Sequence, residues 1–132
     1  MATITEDYCD FETAKLLKEK GFDVPCLAHW YIGSETQEEF SDHPFNWNEV
    51  KSDLDWLSCP TLQMAMKWLR VEHNILLFIL PAQENGKLVY LVEVWTWNKE
   101  EGIYESTYAP MPRKEPEQAV ETSLKYCLEH LI

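Results

Sequence analysis

The sequence contains no apolar run long enough to cross a bilayer: the longest, "ILLFIL" at 75–80, falls far short of the roughly 20 residues a spanning helix needs. Nor does the opening "MATITEDYCDFETAK" set a basic stretch ahead of an apolar one, as a secretion signal does. A cytoplasmic protein with no membrane association is expected. Basic residues are also scarce, 11 against 23 acidic ones, for a formal charge of -12. The summed field repels phosphate backbones and attracts cationic surfaces, so nucleic acid is not an expected partner. Solubility is the simplest account of that acidity.

Cysteine pairs at metal or redox spacing are missing too. The four cysteines, at 9, 26, 59 and 127, form no CxxC and lie far apart in the chain. Without a secretion signal they read as reduced and mostly buried thiols, and zinc has no clustered ligands to hold it. No Gly-rich phosphate loop, Ser-His-Asp signature or basic aromatic platform is present, so no cofactor is expected.

What the chain does have is apolar and aromatic content. Hydrophobic residues make up 45%, with six tryptophans, far too much for disorder in 132 residues. A single folded domain spanning 1–132 is expected.

Asp10 caps a helix whose apolar positions Phe11, Ala14 and Leu17 recur at helical spacing, and Gly21 suits its left-handed end. "CLAHWYIG" reads as a short strand. Residues 34–57 form an acidic, turn-rich excursion carrying Phe40, Phe45, Trp47 and Trp56; a pure loop of that length is unusual in a compact domain. Its aromatics are therefore expected to pin it to the body, with a helical turn near 48–56.

A second helix is expected from about Pro60 to His73, since proline is favoured at the first helical position. Leu62, Ala65, Met66, Leu69 and His73 form one stripe, and Met64, Trp68 and Val71 another almost opposite. Both stripes require cover. "NILLFILP" suits a central strand covered on both faces. Asn85 and Gly86 signal a hairpin into "LVYLVEVWTW", where Glu93, Trp95 and Trp97 share a face; cover by the first helix or the excursion is the simpler reading, and a partly covered face suited to an interface the alternative, while "IYESTY" reads as an edge strand. "EPEQAVETSLKYCLEHLI" closes the chain as a helix with an apolar stripe through Val120, Leu124, Cys127, Leu128 and Leu131. The expected fold is α+β, an antiparallel sheet of three to four strands packed by about three helices in the order α-β-loop-α-β-β-β-α.

"AKLLKEKGFDVPCLAHW", "CPTLQMAMKWLR" followed by "HNI", and "AVETSLKYCLEHLI" together resemble a group of small uncharacterised proteins encoded by phages, prophages and other mobile elements of gut bacteria. In that group the central helix commonly ends in Arg-Glu-Val-His, whereas here the order is Val71, Glu72, His73. The resemblance implies a mobile-element context and carries over no catalytic residue.

Cys59, ahead of Pro60, is a weak reactive-thiol candidate, because a helix start favours the thiolate. A small, half-buried structural thiol is the simpler reading. His29, His43, His73 and His130 fall in no metal spacing, and the acids Glu38, Glu39, Asp53 and Asp55 sit where solvation explains them. The leading expectation is a non-enzymatic accessory protein acting by contact with a protein partner or a second copy, through Trp68, Met64, Trp95, Trp97, Trp47 and Trp56. The alternatives are an acidic DNA mimic that inhibits a nucleic-acid-binding enzyme, and a small enzyme or metal protein using Cys59 or a His/carboxylate cluster.

Overall fold

A computed structural model of the chain describes residues 4–33, 36–39, 43–49, 56–108 and 112–132, with 36–39 and 108 described by backbone alone. The order is α1 (Phe11–Glu19), β1 (Ala28–Tyr31), β2 (Thr36–Glu39), a 3₁₀ turn (Trp47–Glu49), β3 (Trp56–Cys59), α2 (Leu62–His73), β4 (Ile75–Glu84), β5 (Lys87–Asn98), β6 (Ile103–Tyr108) and α3 (Pro116–His130). The α+β class and the expected order hold. The contacts group into two compact units, Met1–Met64 and Ala65–Ile132, dividing inside α2.

In the first unit, α1 starts where Asp10 accepts a hydrogen bond from the Thr13 amide at 2.8 Å. It stops at Gly21, whose φ of 88° is the left-handed conformation that favours glycine. Phe22 N–H donates to the Leu17 carbonyl and Gly21 N–H to that of Lys18, the double bond pattern of a Schellman end, and Phe22 is buried behind it. The sheet of this unit runs β2-β1-β3, with both pairings antiparallel. Its β1/β3 register sets His29 opposite Ser58 and Tyr31 opposite Trp56 on one face, and Ala28 opposite Cys59 and Trp30 opposite Leu57 on the other.

The excursion supplies β2, the 3₁₀ turn and the first half of β3. Phe40 and residues 50–55, with Asp53 and Asp55, lie outside the described residues.

The helix start corrects the expectation by two residues. Pro60 precedes the helix, Thr61 Oγ1 accepts from the Met64 amide at 3.1 Å as a cap, and α2 begins at Leu62. Of its two stripes, Leu62, Ala65 and Leu69 are buried; opposite them Trp68 is buried, Met64 half-buried and Val71 61% exposed. Asn74, at φ 54°, closes the helix and turns the chain into β4.

In the second unit the sheet order is β4-β5-β6, so β5 is central and β4 lies at an edge, correcting the reading of "NILLFILP" as a central strand. Its apolarity belongs partly to an open face, and Pro81 fits an edge. Tyr90 sends both its N–H and its C=O to Arg113 at 2.7 Å, away from β4. Pro81, directly opposite, therefore points its backbone outward, where a missing N–H breaks no ladder bond. Asn85 and Gly86, at φ 52° and 76°, make the tight β4–β5 turn. Helix α3 packs on β5 and β4, burying Val120, Leu124, Cys127 and Leu128 on the sheet face that also buries Ile75, Leu77, Val92 and Val94.

Candidate functional site

Among the described residues two places concentrate aromatic side chains, and each follows from strand alternation. In the first unit His29 is fully buried among rings: Trp47 lies 4.4 Å away, Trp56 4.3 Å and Tyr31 4.8 Å between centroids. Trp47 and Trp56 stack at 5.1 Å and 12°, and Phe45 meets Trp47 at 5.2 Å. The 3₁₀ turn that delivers Trp47 is fixed by exchange with β3: Trp47 N–H donates to Ser58 Oγ at 3.0 Å, and Ser58 N–H to Asn48 Oδ1 at 2.9 Å. Asn48 Nδ2 reaches the Phe22 carbonyl and Trp47 Nε1 that of Cys26. The described part of the excursion is thus pinned by Phe45, Trp47 and Trp56, and Trp47 and Trp56 are half-buried structural partners of His29.

Cys59 is the last residue of β3 rather than the residue before a helix, which corrects the basis of its candidacy. It is fully buried and its Sγ donates to the Cys9 carbonyl at 3.4 Å. A thiol so enclosed is inert as a nucleophile. The other thiols lie inside too. Burial, and then the neighbouring Cys59, push the Cys26 thiol from 9.0 up to about 12. Burial likewise pushes the Cys127 thiol to about 12, against a smaller opposing effect of its backbone hydrogen bond.

This has a consequence for stability in alkali. Below pH 9 such a thiol is protonated in folded and unfolded chains alike. Above it the unfolded chain loses the proton first, so stability falls as pH rises from about 9 to about 12, by on the order of 1 kcal/mol per thiol at pH 10. Urea unfolding at pH 8 and pH 10 checks it: Cys127→Ala is expected to lose less stability than the parent between those pH values, by on the order of 1 kcal/mol.

The second concentration is the face of β4-β5-β6 opposite α3. Register places Leu76 against Trp95, Phe78 against Glu93 and Leu80 against Leu91 on that side. A shallow apolar cleft of about 430 Å³ is lined there by Leu76, Phe78, Leu80, Glu93, Trp95 and Tyr104. Phe78 is 48% exposed and meets Trp95 edge-on at 6.2 Å. Glu93 Oε2 accepts from Trp95 Nε1 at 2.9 Å, the i to i+2 spacing that puts both on one face. Trp97, also partly exposed, rests edge-on against Tyr104 at 5.0 Å. Trp95 and Trp97 therefore share a partly covered face with Glu93, whereas Trp68 is interior and Met64 half-buried. Sequence reasoning missed Leu76, Phe78, Leu80 and Tyr104. The period-two pattern of β4 was the available signal, hidden because both of its faces are apolar.

Among the described residues no group of three or more His, Cys, Asp or Glu could hold a metal ion. His43 and His130 are exposed, and His73 meets Trp68 edge-on at 4.8 Å. No helix among the described residues is long and apolar enough to cross a membrane. No protein family, curated protein or solved structure matches this chain.

Proposed function

We propose that the protein acts by protein–protein contact through the open face of the β4-β5-β6 sheet, as a cytoplasmic accessory protein of a phage or other mobile element. The cleft of Leu76, Phe78, Leu80, Trp95 and Tyr104 carries this reading. Large apolar and aromatic side chains clustered on one sheet face, while α3 closes the other, match the composition of interface centres, and water is a poor neighbour for them. The excess of 23 acidic over 11 basic residues selects a cationic partner and speeds its encounter. The same charge repels nucleic acid. The mobile-element context rests on the resemblance of the three sequence stretches quoted above.

A photoreactive phenylalanine analogue placed at position 78 tests this in bacterial cells carrying the protein, with position 87, at the exposed hairpin, as control. The expected result is one discrete adduct from 78 and none from 87, formed less efficiently in lysate as salt rises. Equal labelling from both positions contradicts the reading. An adduct of twice the chain's own mass assigns the face to a second copy and overturns the heterologous partner.

A further inference from the structure

We infer that the open face seats an arginine side chain of the partner on Glu93; this rests on the contact reading above and specifies its chemistry. Among the described residues lining the cleft, Glu93 is the only carboxylate, and the others are apolar or aromatic. One of its oxygens, Oε2, takes the Trp95 indole N–H, and among the described residues no cation pairs with it. While the cleft is open, water solvates the carboxylate. An apolar partner laid over it would strip that water and return nothing, so Glu93 disfavours a purely hydrophobic occupant of the cleft it lines.

A cation answers the carboxylate, and the surroundings choose which one. The Trp95 indole is bonded to Glu93, Phe78 stands directly opposite it across the β4–β5 register, and Tyr104 lines the same cleft; a planar guanidinium both stacks on aromatic faces and donates to a carboxylate in a fixed fork. An ammonium group is a point charge that keeps its water more tightly and gains less from the rings. The apolar floor of Leu76 and Leu80 suits the flanking side chains of the same segment. The occupant is thus an arginine with apolar neighbours, on a protein whose charge is opposite to this chain's -12.

Two synthetic peptides test it with the full chain: acetyl-Leu-Arg-Leu-Phe-amide and its counterpart with citrulline, which keeps the shape of arginine without its charge. The readout is the indole N–H resonance of Trp95, identified by its loss in Trp95→Phe. The arginine peptide is expected to move that resonance at a concentration at least about tenfold below the citrulline peptide, and Glu93→Gln to abolish the difference. Equal titration by both peptides, no movement with either, or a preference that survives Glu93→Gln overturns the assignment. Failure here is distinguishable from failure of the contact reading. If the adduct from position 78 persists unchanged in Glu93→Gln, the face is an interface and arginine is not its key.

Discussion

Replacing Trp47 with alanine is expected to destabilise the protein by about 3 kcal/mol and lower its Tm by roughly 10 °C. The indole is half-buried, which sets the loss at the low end for a tryptophan truncation, but it serves three neighbours at once. It stacks on Trp56, packs on His29 and meets Phe45, and its removal leaves the buried imidazole facing a void. Trp47→Phe separates packing from hydrogen bonding. The Cys26 carbonyl loses the indole donor but keeps the Phe45 amide at 2.9 Å, so no acceptor is orphaned and the cost is about 1 kcal/mol. Thermal unfolding followed by circular dichroism checks both. A Trp47→Ala protein as stable as the parent would mean that the excursion is not held by this cluster.

Leu124→Ala is expected to cost about 2 to 5 kcal/mol, the span set by how far the core can collapse into the space left behind. Leu124 is fully buried in α3, on the side that packs against β5 and β4. The comparison is Val71→Ala, which removes a similarly apolar side chain that is 61% exposed and should change stability by less than about 0.5 kcal/mol. Denaturant midpoints at constant slope discriminate the two. Similar costs for both would show that burial in α3 does not govern stability.

Much of the architecture was legible because its determinants are local. Asp10 and Gly21 mark the ends of α1 by chemistry acting within a few residues, and Asn85-Gly86 fixes a hairpin by the backbone angles those residues tolerate. The stripe of α3 names its buried residues directly, from Val120 through Leu128. The misreadings share a different cause. The apolar run of β4 suggests a central strand because it is equally compatible with burial on two faces and with one buried face beside an open one; only its pairing distinguishes them. Pro60 dominates the local signal and points to a helix start at Cys59. The pairing of Cys59 with Ala28, across more than the whole excursion, extends β3 to it. Long-range pairing also created the His29 cluster, since Trp47 and Trp56 come from the excursion and reach the imidazole only after β3 has docked on β1. In the interaction face, Trp95 and Glu93 were legible from alternation, while Phe78 and Leu80 needed the β4–β5 register to be seen beside them.

Relaxation by a neutral, soluble paramagnet measures most directly whether the β4-β5-β6 sheet is closed on one face and open on the other. The ring protons of Phe78 and the indole of Trp95 are expected to relax strongly, while the methyl groups of Val92, Val94 and Leu124 are spared. Shielding of Phe78 and Trp95 equal to that of Val92 would contradict an open face and, with it, a partner seated there.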